Sequence, residues 1–137
     1  LDSLKDLIKG NPRITIVPPV KSSEVVNFIH PYDMGIFLLP PINFNYANTL
    51  PNKLFDFIQA RLAIGIGPTP EMASLVNIHH LGVVANDFTP QALAQRINSL
   101  TATEISFFKQ QADRAALELS AEKNKVILND LVSNLIK

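Results

Sequence analysis

Short apolar runs alternate along this chain with stretches in which apolar residues recur every three or four positions. Apolar runs bounded by proline or glycine predict buried strands at residues 14–17, 34–39, 62–66 and 82–85. The three-to-four spacing predicts helices at 1–9, 24–29, 69–78, 89–100, 101–115 and 120–136, and another that starts at Pro51. Residues that favour helix starts support these bounds: Ser22 or Ser23, Thr69, Thr89, Thr101 with Glu104, and Ser120.

Strands that alternate with helices predict an α/β domain, with a parallel sheet of about four strands covered by helices on both faces. Ligands of such sheets bind outside the carboxyl ends of the strands. The predicted strands end at residues 18–20, 40–48, 67–69 and 86–87, and the loop after the second strand is the longest and most polar. We therefore expect a binding site on that loop and on the helix that follows it.

The helix that follows this loop starts near Pro51, a residue suited to a first helical turn. Its apolar residues share one face, and Asn52, Lys53 and Asp56 share another, polar face near the helix start. An anion could bind at that end, where the backbone N–H groups are unpaired and Lys53 adds a positive charge. An ordinary helix with a solvated first turn explains the same pattern, and both interpretations stay open.

Composition narrows the classes of function. The 137 residues fit one domain, and a net charge of zero gives no electrostatic reason to expect nucleic acid as a partner. Cysteine is absent, and there is no apolar run long enough to cross a bilayer and no signal peptide. The chain begins at Leu1, so we expect a piece of a longer protein.

The motifs of several enzyme classes are missing. There is no GxGxxG, no Walker loop and no Gly-x-Ser-x-Gly elbow. The adjacent His79 and His80 suit a helix end better than a metal site, and we expect neither a metal ion nor a cofactor. Phe44 and Tyr46 could stack on a sugar or a base, or could only pack the loop.

Two blocks of the sequence resemble a known family. Residues 32–40 form an apolar strand that ends in proline, and residues 50–64 read Leu-Pro-Asn-Lys-Leu-Phe-Asp-Phe-Ile-Gln-Ala-Arg-Leu-Ala-Ile. Together they resemble the carboxy-terminal domain of two-Rossmann-domain glycosyltransferases, above all the bacterial retaining enzymes of surface-polysaccharide assembly. The similarity runs from about Ile14 to the C-terminus, and the Pro-Asn-Lys block is its most specific part.

The resemblance implies that a nucleotide-sugar donor, a UDP- or GDP-sugar, lies across the strand ends. Asp56 stands where the family usually has a glutamate that bonds the donor ribose, and Asn48 where many members have a glutamate that contacts the sugar. Lys53 and the helix start stand where the family approaches the diphosphate, and the turn at residues 18–20 where it contacts the base. The donor-binding positions implied are therefore Pro19, Val20, Asn48, Thr49, Leu50, Asn52, Lys53 and Asp56.

The chain also departs from the family pattern. Asp56 keeps a carboxylate on a shorter stem, whereas Asn48 loses the charge. Two strands and a basic phosphate-binding residue that precede this region in the family are missing, and so is the amino-terminal acceptor domain. We therefore expect residues 1–137 to form part of a donor domain that is inactive alone and incomplete at its N-terminal side.

From these observations we expect a glycosyltransferase fragment whose parent is cytoplasmic, or lies at the inner face of the membrane. A nucleotide-sugar epimerase domain and a noncatalytic flavodoxin-like binding module remain as alternatives. Because the missing strands would leave residues 14–17 without neighbours, we predict one of two outcomes. The fragment self-associates, or the sheet closes directly and the last helix folds onto this domain.

Overall fold

The computed structural model describes Asp6 and residues 8–135. A 3-10 turn, Ser22–Glu24, leads into α1, Val25–Ile29, and then β1, Met34–Phe37. The chain continues through α2 (Phe44–Ala47), α3 (Asn52–Gln59), β2 (Ala63–Ile66), α4 (Pro70–Ile78) and β3 (Gly82–Val84). It ends with α5 (Pro90–Asn98), α6 (Ala102–Glu118) and α7 (Ala121–Leu135). The predicted helix at residues 1–9 lies largely outside the described residues.

The three strands form one parallel sheet in the order β1-β2-β3. Gly35 of β1 pairs with Ile64 of β2, and Ile64 in turn pairs with Gly82 of β3. All four residues of β2 are buried, as a central strand with helices on both faces requires. The predicted α/β class, with a parallel sheet flanked by helices, is confirmed.

Side chains that alternate along β2 separate the two layers of helices. Ile64 and Ile66 belong to the main core with residues of α3, α4 and α6, whereas Gly65 faces Leu93 and Ile97 of α5. The helical side of the main core contains Leu54, Ile58, Met72, Val76, Ala112, Ala115 and Ala116, all 2% exposed or less. The small alanines of α6 allow that helix to approach the sheet and α3 closely.

The predicted strand at residues 14–17 is wrong, so the sheet has three described strands rather than four. Ile14 and Val17 are 48% and 44% exposed, and they lie beside Phe28 and Tyr32 along a groove of about 640 Å³. β-branched residues favour a strand only where a neighbouring strand supplies hydrogen bonds and packing. Here the segment lies beside α1 instead.

Helix starts follow the sequence only in part. Thr89 caps α5, Thr101 and Glu104 form the predicted capping box of α6, and Ser120 accepts a hydrogen bond from the Lys123 N–H. Neither Ser22 nor Ser23 caps a helix, because Lys21 and Glu24 occupy the N-cap positions. Thr69 makes no cap hydrogen bond either. It is fully buried, with its hydroxyl 3.5 Å from the Leu39 carbonyl oxygen.

The last helix, α7, has no buried residue. Its large apolar side chains include Leu128, Leu131 and Leu135, which are 60%, 57% and 85% exposed. The prediction that the sheet closes directly and the last helix folds onto this domain is therefore wrong. Self-association, its alternative, stays a prediction.

Candidate functional site

The segment after β1 is a structured loop. Its short helix α2 was not predicted, although Asn43 is a residue type that favours helix starts. In the structure, the Asn43 side chain caps α2 and accepts a hydrogen bond from the Tyr46 N–H at 2.8 Å. Ile42 and Phe44 are 77% and 80% exposed, and Tyr46 is 40% exposed. The Phe44 ring is therefore not packed into the loop and remains available for stacking, whereas more than half of Tyr46 is covered.

The position of α3 follows from its apolar face. Leu54 and Ile58 are fully buried against the sheet, which turns Asn52, Asp56 and Gln59 toward the outside of the domain. The Phe57 ring lies directly over Gly35 of β1, where a Cβ atom would clash with the ring. Only glycine permits this approach, so the contact fixes α3 against the first strand.

The prediction that Lys53 shares the polar face of Asn52 and Asp56 is wrong for its side chain, which extends to the end of β1 instead. Its Nζ atom is 5.3 Å from the centroid of the Phe37 ring, at the last residue of β1, a distance typical of a cation–π contact. Lys53 therefore holds a positive charge at the carboxyl end of the strand. The helix start beside it has Pro51 at the N-cap and no side-chain cap, so its first backbone N–H groups have no side-chain acceptor from that residue.

A crevice of about 540 Å³ runs along the outer face of α3, from its first residue to its last. One wall comes from the start of the α1 region, and the other from the joint between α6 and α7. Its lining residues are Ser22, Val26, Asn52, Phe55, Asp56, Gln59, Leu119, Ala121, Glu122 and Asn124. This crevice is the candidate site.

Gln59 connects the base of the crevice to the α6–α7 joint. Its Nε2 atom donates to the carbonyl oxygens of Ala116 at 3.1 Å and Leu119 at 3.5 Å. These carbonyls belong to the end of α6, where backbone acceptors lack partners within the helix. The bonds hold the joint beside α3 and so define where α7 begins relative to Asp56.

The structure brings together only some of the predicted donor-binding residues. Asn52 and Asp56 line the crevice, and Lys53 lies nearby at the strand end. The Asn48 side chain instead donates to the Phe44 carbonyl at 2.9 Å and closes the end of α2. Thr49 and Leu50, which follow in the same loop, do not line the crevice.

Pro19 and Val20 are also outside the crevice. Their predicted place at a strand end is wrong, because residues 14–17 form no strand. The two residues instead lie just before the 3-10 turn Ser22–Glu24, and Ser22 of that turn does line the crevice.

Sequence reasoning missed several lining residues. Gln59 could have been predicted from helical spacing, because it lies three positions after Asp56 and seven after Asn52 and so extends their polar face. Glu122 and Asn124 could not have been predicted, because the neighbouring sequence does not determine where the start of α7 lies relative to α3. Ser22 was predicted only as a helix cap.

The carboxylates with shifted pKa values lie away from the crevice. The Thr89 hydroxyl, and then the Thr89 N–H, donate to Asp87 and lower its pKa. The Thr101 N–H, and then its hydroxyl, lower the pKa of Glu104 in the same way. Asp87 follows β3, but these bonds make it part of the start of α5. It therefore has a structural role.

Comparison with known proteins identifies no relative: no family model, curated protein or solved structure matches the chain. The described part of the chain also has no group of three or more histidine, aspartate or glutamate side chains placed to hold a metal ion. None of its helices is both long and apolar enough to cross a membrane.

Proposed function

We propose that this chain is the donor-binding part of a glycosyltransferase and that it holds a UDP- or GDP-sugar along α3. The observation that carries the proposal is the crevice itself, which is lined by Asn52 and Asp56 of the Pro-Asn-Lys block. Lys53 supports it from the strand end. These are the three positions at which the resemblance implies contacts to the diphosphate and ribose.

The charges of Lys53 and Asp56 suggest that the diphosphate and the ribose of such a ligand would bind at two different places. The diphosphate would lie near Lys53 and the first N–H groups of α3, where a cation and the positive end of the helix dipole favour an anion. The ribose would reach Asp56 in the crevice, because a carboxylate accepts hydrogen bonds from hydroxyl groups. Asn52, the first residue of α3, lines the crevice and precedes Lys53 in the chain.

Sugar transfer itself needs a second binding partner. Holding the acceptor against the donor supplies a large part of the rate, and we assign that role to an amino-terminal acceptor domain in the parent protein. The chain alone is then expected to bind a nucleotide sugar weakly and to transfer nothing. Surface-polysaccharide assembly is the process that the resemblance favours.

The test is a calorimetric titration of the chain with UDP-glucose and GDP-mannose. Lys53→Ala and Asp56→Asn should each weaken binding by about 1–3 kcal/mol, the range for a hydrogen bond to a charged group. Lys125→Ala and Asp130→Asn are matched controls on α7, outside the crevice, and should bind like the wild type. Circular dichroism establishes that each variant is folded.

Two results would count against the proposal. If neither nucleotide sugar binds the folded wild-type chain at millimolar concentration, the noncatalytic binding module is the better interpretation. If one binds, but Lys53→Ala and Asp56→Asn leave its affinity unchanged, the ligand lies elsewhere and the crevice is not the donor site.

A further inference from the structure

Two carboxylates from separate helices line the crevice: Asp56 from α3 and Glu122 from the first turn of α7. Some other carboxylates of the described chain are engaged, as Asp33 is with Lys109 at 3.2 Å and Asp113 with Arg61 at 2.8 Å. Asp56 and Glu122 have no ion pair or side-chain hydrogen bond within that same part of the chain. Their oxygens are therefore free to accept hydrogen bonds from a ligand.

The rest of the lining decides which chemistry fits. None of the described lining side chains is cationic, so a phosphate inside the crevice would meet two negative charges and no positive one. The lining instead offers the amides of Asn52 and Asn124, the Ser22 hydroxyl and the ring of Phe55. Carboxylates and amides beside an aromatic ring suit a neutral group with several hydroxyls and an apolar face.

We propose that the crevice binds a neutral polyhydroxyl group, the ribose or the hexose of the donor, with Glu122 as a second carboxylate beside Asp56. This inference rests on the proposed function and adds a binding residue from α7, which lies outside the Pro-Asn-Lys block. It also gives α7 a role. Because α7 has no buried residue, a ligand bonded to both Asp56 and Glu122 would tie the start of that helix to α3.

The test compares Glu122→Gln with Glu71→Gln, which changes an exposed first-turn glutamate of α4 outside the crevice. The ligand is whichever of UDP-glucose and GDP-mannose binds the wild type, together with the matching diphosphate, UDP or GDP. Glu122→Gln should weaken nucleotide-sugar binding about tenfold, as expected for a lost charged acceptor, whereas Glu71→Gln should leave it unchanged. Weaker binding of the diphosphate as well assigns the polyhydroxyl group as ribose. An effect on the nucleotide sugar alone assigns it as the hexose.

Hydrogen exchange gives a second readout, which a simple loss of affinity would not reproduce. With ligand at saturating concentration, amides in the first turns of α7 should exchange more slowly in the wild type than in Glu122→Gln, while those of α6 stay equal in both. If Glu122→Gln binds like the wild type while Asp56→Asn binds weakly, this inference is overturned and the proposed function stands. If Asp56→Asn and Lys53→Ala also bind like the wild type, the proposed function fails with it.

Discussion

Helices α6 and α7 follow each other in the chain and have similar lengths, 17 and 15 residues, but only α6 belongs to the core. The buried face of α6 consists of three alanines, Ala112, Ala115 and Ala116. α7 carries larger apolar side chains, including Leu128, Leu131 and Leu135, and all of them are exposed. The amount of apolar surface therefore does not decide which helix packs.

Shape and specific bonds explain the difference. Small residues let α6 lie close to α3 and β2, and Gln59 and Arg61 then bond to its exposed groups and its last carbonyls. At the start of α7, Ala121, Glu122 and Asn124 line the crevice. α6 therefore stabilises the domain, whereas the role proposed for α7 is confined to its first turn, where Glu122 lines the crevice.

The largest expected difference is in the free energy of unfolding, between a substitution in the core and the same substitution on α7. Leu54→Ala should lower the free energy of unfolding by about 2–5 kcal/mol, because Leu54 is fully buried and its removal leaves a cavity. Leu131→Ala, the same change on α7, should stay within about 0.5 kcal/mol, because Leu131 is exposed. Urea unfolding followed by circular dichroism measures both.

Equal losses in the two variants would contradict this account of α7 and would mean that Leu131 is packed in solution. Repeating the measurement at two protein concentrations separates the causes. A loss that depends on concentration would indicate the self-association predicted from the sequence.

A smaller difference in stability is expected between the loss of the α6 cap and the loss of the α7 cap. Thr101→Ala removes the capping box of α6 and should cost about 0.5–2 kcal/mol of global stability. Ser120→Ala removes the hydrogen bond to the Lys123 N–H at the start of α7. It should speed hydrogen exchange in that helix without shifting the urea midpoint, because α7 has no buried residue and adds no side chain to the core.

The capping box also predicts a dependence on pH. Its hydrogen bonds lower the pKa of Glu104, so the stability that Glu104 adds is fully present above the usual glutamate pKa of about 4.3. That stability is lost as the pH falls through the lowered pKa. The stability advantage of the wild type over Glu104→Ala should thus be constant from pH 7 to 5 and shrink below pH 4. An advantage that grows toward acid pH would contradict the assignment.

Local signals predicted much of the fold. Three features could be predicted because the residues that determine each of them are close together in the sequence. They are the fully apolar run around β2, the caps of α5 and α6, and the polar face of α3. The segment at residues 14–17 shows the limit. Its β-branched residues favour a strand, but whether one forms depends on a neighbouring edge far along the chain.

Some residues of the candidate site could likewise be predicted from the sequence, and others could not. Asn52 and Asp56 could be predicted, because helical spacing puts them on one face and the Pro-Asn-Lys block marks them. Glu122 could not, since its position beside Asp56 depends on how Gln59 holds the α6–α7 joint. Lys53 could be predicted as a cation at the helix start, but its contact with Phe37, which places it apart from the other polar residues of α3, could not.

A two-dimensional NMR titration of the chain with the nucleotide sugar that it binds tests most directly whether the ligand lies in the crevice. We predict shifts at Asn52, Lys53 and Asp56 of α3 and at Glu122 of α7, with no shifts along the outer face of α6. Shifts confined to α6, or to the groove beside Ile14 and Phe28, would contradict it, because the ligand would then lie outside the crevice.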